Sequence, residues 1–137
     1  MASQLNPYLM FNGNAAQAME FYASVFGGIP AINTFAEFGA TDSPAADKIF
    51  HGMLETDAGY TIMAGDVTDD TEYQPMAACS VNISGDDADL LRDYWERLSA
   101  SGSITMPLQG QVWGDEFGMC LDQFGVSWMV NISKPQA

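Results

Sequence analysis

His51 is the only imidazole in the chain, and Glu55 follows it by four residues. Together with Met53 they share one alternating face of a strand-like run, Lys48 to Thr56. An imidazole titrates near neutrality, so His51 assisted by Glu55 is a candidate general base. The plainer role open to His51 is a structural or pocket-lining one, since the residue matching it in the repeat described below is Phe117. Tyr8, Trp113 and Trp128 have the flat faces needed to stack on a planar ligand, although Tyr8 and Trp128 fit a core role equally well. A zinc, nickel or iron site needs three or four converging His, Cys or carboxylate ligands. With one histidine, no metal site and no cofactor are expected.

Other chemistries lack their motifs. No phosphate loop ends in Gly-Lys-Ser or Gly-Lys-Thr, and no nucleophile elbow precedes a helix. The sequences "FNGNA" and "VFGG" do not form the glycine-rich strand-to-helix turn common to S-adenosylmethionine sites. Four Lys plus Arg against 18 Asp plus Glu leave a formal charge of −14, which repels nucleic-acid phosphate and anionic lipid. The densest acidic stretch, "DVTDDTE" from Asp66 to Glu72, reads as a solvated loop without the regular oxygen ligands of a calcium site. No apolar run is long enough for a membrane span, and the N-terminus has no signal-peptide pattern. Cys79 and Cys120 lie in apolar strand-like runs and are expected to be buried free thiols in the cytoplasm.

The elements that would position these residues are written twice. Leu5 to Phe11 reads as a strand, and "NGN" at 12–14 as a turn in which Asn14 can cap a helix. Ala15, Ala18, Met19, Tyr22 and Phe26 form a helical stripe that Gly27 and Gly28 end. Strands follow at Ile32 to Phe38, Lys48 to Thr56 and Tyr60 to Ala64. The order then recurs: strand at Cys79 to Ile83, helix stripe Leu90, Leu91, Tyr94 and Leu98, and strands at Ser103 to Leu108, Phe117 to Asp122 and Val126 to Ile132. With an offset of 66, "HGMLETDAGYTIMA" overlays "FGMCLDQFGVSWMV". Gly52 then matches Gly118, Met53 matches Met119, Gly59 matches Gly125, and Met63 matches Met129. The expectation is one α+β domain over 1–137, made of βαβββ modules at 5–65 and 77–133 joined by an acidic linker at 66–76. Pairing the modules would form a curved mixed sheet around a concave cavity.

"NPYLMFNGNAAQAMEFYASVFGG", "MPLQGQVWG" at 106–114 and "FGVSWMVNI" at 124–132 resemble the PhnB-like branch of the vicinal-oxygen-chelate superfamily, over about Leu5 to Ile132. That superfamily includes glyoxalase I, extradiol dioxygenases and bleomycin and fosfomycin resistance proteins. The branch carries the family name 3-demethylubiquinone-9 3-methyltransferase. The resemblance implies a divalent ion held by His and Glu side chains in the cavity. At the corresponding positions stand Pro7, Ser80 or its neighbours, Thr61 to Met63, and Met129, none of them His, Asp or Glu. It also suggests a pocket role for Gln109 and Trp113, and a homodimer. The expected function is therefore binding of a small molecule, cationic or aromatic, by Tyr8, Gln109, Trp113 and Trp128. The alternatives are a lyase, isomerase or dioxygenase with displaced metal ligands, including His51, Glu55 and Glu116, or metal-free proton transfer through His51.

Overall fold

In the computed structural model, residues 3–68 and 72–135 are described; Asp69, Asp70 and Thr71 of the acidic stretch lie outside them. The elements run β1 (Tyr8–Phe11), α1 (Ala15–Phe26), β2 (Ala31–Thr34), β3 (Ile49–Glu55), β4 (Thr61–Asp66), β5 (Val81–Gly85), α2 (Ala88–Ser99), β6 (Ser103–Gly110), β7 (Glu116–Leu121) and β8 (Ser127–Ile132). The chain divides into two compact units between Pro75 and Met76. Each unit is a four-stranded mixed sheet with one helix, in the orders β1-β4-β3-β2 and β5-β8-β7-β6. In both, the first strand pairs parallel with the last, and the remaining pairs are antiparallel. The α+β class and the duplicated βαβββ order are thus the observed ones.

The repeat extends to single hydrogen bonds. Thr56 N–H donates to the Tyr60 carbonyl at 2.8 Å, and Asp122 N–H donates to the Val126 carbonyl at 2.9 Å. Inside these turns Gly59 and Gly125 take φ of 92° and 84°, the left-handed region glycine enters without steric cost. Gly52 and Gly118 have a shared purpose as well. A Cβ on Gly52 would touch Met19 of α1, and one on Gly118 would crowd Trp95 of α2 at 2.8 Å. Both glycines therefore mark the helix face of their sheet, and the alternation of the strands fixes every other side chain from there.

On the helix faces lie the largest buried side chains: Phe11, Met19, Tyr22 and Leu54 in the first unit, and Leu98, Cys120, Trp128 and Val130 in the second. Each contributes about 1.5–3 kcal/mol by leaving water. Gly27 and Gly28 end α1 with φ of 81° and 96°. A side chain at Gly28 would collide with the Glu55 carbonyl oxygen, so the helix end sits directly on the β3–β4 corner.

Five expectations change. The first strand starts only at Tyr8, and residues 36–38 of the second form a 3-10 turn, Ala36–Phe38, closed by left-handed Gly39. Asn14 occupies the position before α1, but its side chain caps nothing. The cap comes from Asp66, whose Oδ1 accepts the N–H groups of Gly13 at 2.9 Å and Ala15 at 3.0 Å while Oδ2 accepts that of Ile49 at 2.9 Å. Asp66 is thus a buried residue of β4, not part of a solvated loop. A carboxylate outcompetes a neutral amide for such donors and also matches the positive end of the helix. Finally, Cys120 is buried but Cys79 is exposed, because β5 begins two residues after it.

Candidate functional site

Each sheet has a face turned away from its own helix, and the chemically distinctive side chains lie there. On the first sheet these are Tyr8, Met10, Asn33, His51, Met53, Glu55 and Met63, by alternation from the helix-facing Leu9, Gly52 and Ile62. Tyr8 belongs to β1 and His51 to β3, with β4 between them. Tyr8 crosses β4 over Gly65, where a Cβ would stand 2.9 Å from the Tyr8 hydroxyl. It ends 3.3 Å from the Phe50 carbonyl oxygen and 3.4 Å from His51 Nδ1, with the two rings 5.7 Å apart.

That carbonyl is placed by a β-bulge. Asn33 pairs with His51 and Thr34 with Ile49, leaving Phe50 as the extra residue of β3. The Phe50 ring packs on Phe35 and Phe38, at centroid distances of 5.2 and 4.9 Å. The Tyr8 O–H donates to the Phe50 carbonyl, so its oxygen is left to accept from Nδ1–H of His51. This assigns the neutral imidazole its Nδ1–H tautomer and leaves Nε2 as the basic nitrogen. Burial raises the Tyr8 phenol above its ordinary value, so it remains a donor at neutral pH. Glu55 does not assist His51: four residues along one strand place their Cα atoms about 13 Å apart. Tyr8 is the partner instead.

On the second sheet the helix-free face carries an open groove of about 470 Å³. Met119, Leu121, Ser127 and Met129 line it from β7 and β8, and residues 76–80 complete its wall. The Ser80 and Ser127 hydroxyls bond at 2.6 Å, and Ser127 N–H donates to the Met76 sulfur at 3.4 Å. Ala78, with φ of 53°, holds a conformation that alanine rarely adopts. At the other end of this sheet, Gln109 pairs in register with Phe117, on whose ring edge Trp113 packs at 6.0 Å. Gln109 and Trp113 are both exposed and do not line the groove.

Trp128 is a correction. It faces α2, is 1% exposed, and donates its Nε1–H to Asp122 Oδ2 at 2.8 Å. That carboxylate also accepts the N–H groups of Phe124 and Val126, so Trp128 is a core residue fixed to the β7–β8 turn. Glu116 is engaged by Arg92 in an ion pair. Among the described residues no three His, Cys, Asp or Glu side chains gather as a metal-binding group, and the positions that the resemblance offered for ligands, Pro7, Ser80 or its neighbours, Thr61 to Met63, and Met129, carry none of these side chains except Cys79 beside Ser80. This donor set does not fit a zinc, nickel or non-haem iron ion.

The groove residues were missed in the sequence because methionine reads as core. A usable signal was present: Met53 with Met63 and Met119 with Met129 recur in both repeats. Each pair faces itself directly across two strands.

The family model for 3-demethylubiquinone-9 3-methyltransferase matches residues 3–131. The chain belongs to that family. Protein YjdN of Escherichia coli K12 is 27% identical over 96% of this chain and 97% of its own. The crystal structure of PA1353 from Pseudomonas aeruginosa superposes with a TM-score of 0.87 at 32% identity, covering 98% of this chain and all of that one. The PhnB protein from Bacillus cereus gives 0.73 at 26% identity, over 96% of this chain and all of its own. More distant structures at 11% identity show the same glyoxalase/bleomycin-resistance/dioxygenase fold. In this member of the family the N–H groups of the β1–α1 turn at Gly13 and Ala15 are held by Asp66.

Proposed function

We propose that the chain is a small-molecule-binding member of its family and that its ligand, neutral and polarisable, lies in the groove of the second unit. The observation that carries this reading is the lining: three methionines, Leu121, two serine hydroxyls and a thiol, with no charged side chain. A volume of about 470 Å³ suits a small organic molecule. Thioethers are flexible and polarisable, and they favour an aromatic ligand over the cationic one that the net charge suggested. The Ser80–Ser127 pair supplies the directional contact. A homodimer remains part of the proposal, to be checked by light scattering.

The neutral dye 1-N-phenylnaphthylamine tests it. Saturable fluorescence enhancement is expected, abolished by Met129→Lys and retained in Trp113→Ala. Dye binding that survives Met129→Lys would place the ligand elsewhere.

A second reading rests on the Tyr8–His51 contact: metal-free proton transfer, with His51 Nε2 as base and Tyr8 holding the imidazole's tautomer. Deuterium incorporation from heavy water into dihydroxyacetone, lost in His51→Ala, would support it. No incorporation above the variant's rate counts against it.

A further inference from the structure

Four sulfur-bearing residues from three separate stretches of chain line the groove of the second unit. Met76 and Cys79 come from the segment before β5, Met119 from β7 and Met129 from β8. Met119 and Met129 are register partners, so their Cα atoms stand about 4.5–5.5 Å apart. Both side chains leave on the helix-free face, because Gly118, Cys120, Trp128 and Val130 take the other. Ser127 lies on that same face two residues before Met129, and its N–H holds the Met76 sulfur at 3.4 Å. The Ser80–Ser127 bond ties the residue after Cys79 to the same floor. Cys79 itself is exposed and free.

These donors are soft. Neither an imidazole nor a carboxylate lines the groove, so zinc, calcium and magnesium find none of their preferred ligands there. Thiolate and thioether together select d¹⁰ monovalent ions. We infer that the groove is a binding site for a soft monovalent metal ion, Cu(I) or Ag(I), held by the Cys79 thiolate and the thioethers of Met119 and Met129, with Met76 at its wall. Binding forms one metal–sulfur bond at Cys79 as its S–H proton leaves to solvent. No electron is transferred, and one proton is released per ion bound. The chain's formal charge of −14 raises the local concentration of any cation. The inference goes beyond the organic ligand proposed above and shares only the place.

The test is titration of the untagged protein with silver nitrate in chloride-free buffer, read by native mass spectrometry and by proton release. Competition with bathocuproine disulfonate under anaerobic conditions gives the Cu(I) counterpart. One ion and one proton per chain are expected. Cys79→Ser should weaken binding about a hundredfold, and the double variant Met119→Leu with Met129→Leu about tenfold or more. Dye binding is measured on the unsubstituted protein without metal, so the organic-ligand reading stands or falls separately from this inference. Circular dichroism confirms that each variant is folded. Silver affinity unchanged in the double leucine variant would reduce the site to an ordinary surface thiol and overturn the inference. Equal affinity for zinc would do the same.

Discussion

The Tyr8 hydroxyl reaches His51 Nδ1 across an intervening strand, at 3.4 Å, and the passage exists because residue 65 has no side chain. Gly65→Ala would place a methyl group 2.9 Å from that hydroxyl and 3.0 Å from the Phe50 carbonyl oxygen. A cost of about 1–3 kcal/mol in urea unfolding is expected. The single histidine makes the local effect easy to read. Its ring-proton resonance should shift as the Tyr8 ring moves away, and Tyr8→Ala should produce a shift in the same resonance. An unmoved histidine signal in Gly65→Ala would show that Tyr8 does not depend on that gap.

Asp66 holds three backbone N–H groups from two segments, the β1–α1 turn and the start of β3. Hydrogen bonds to a charged acceptor contribute about 1.5–3 kcal/mol each, and losing the acceptor leaves buried donors unpaired. Asp66→Ala should therefore cost about 3–5 kcal/mol, and amide exchange at Gly13, Ala15 and Ile49 should accelerate together. Asn14→Ala, by contrast, should change stability by less than about 0.5 kcal/mol, because its side chain makes no capping bond.

Burial, with Asp122 adding to it, pushes the Cys120 thiol up to about 11. In the unfolded chain a thiol ionises near 8.5–9. Between these values the unfolded state has lost the proton that the folded state retains, so stability falls as pH rises. The contribution is complete below about pH 8.5 and gone above about pH 11, a loss on the order of 2–3 kcal/mol. Cys120→Ala should flatten this part of the alkaline unfolding profile. A profile identical to that of the unsubstituted protein would show that folding does not hold the thiol's pKa above its unfolded value.

The two cysteines should also differ in reactivity. Cys79 is exposed and Cys120 is fully buried. One equivalent of Ellman's reagent should react with the native protein, and a second only in denaturant. Fast native reaction of both thiols would contradict the packing of β7 against α2.

Trp128→Phe removes the Nε1–H bond to Asp122 and opens a small void beneath α2. A loss of about 2–3 kcal/mol is expected. Trp113, 57% exposed, should be quenched by acrylamide, whereas Trp128 should emit at short wavelength and resist quenching.

Local patterns carried the architecture, and long-range ones did not. The helical stripe of α1 and its glycine stop are short-range features, so spacing alone revealed them. Asp66 looked solvated because its neighbours are acidic; its donors lie 17 to 53 residues away. His51 was legible as a singular residue, but its partner was misjudged. Glu55 is near in sequence, whereas Tyr8 is brought to it by a parallel strand pairing and a bulge. Trp128 could not be assigned to a face until Gly118 and Trp95 showed which side the helix covers.

The parallel pairing of β1 with β4 has a consequence for the order of events during synthesis. Tyr8 finds its register partner, Met63, only after the rest of the first unit has been made. The second unit has the same arrangement, with Val81 waiting for Trp128. A ribosome-bound chain ending before Thr61 holds a first strand with no neighbour to pair with. Each half can close only when its last strand has emerged, so its earliest-made strand is among the last to be secured.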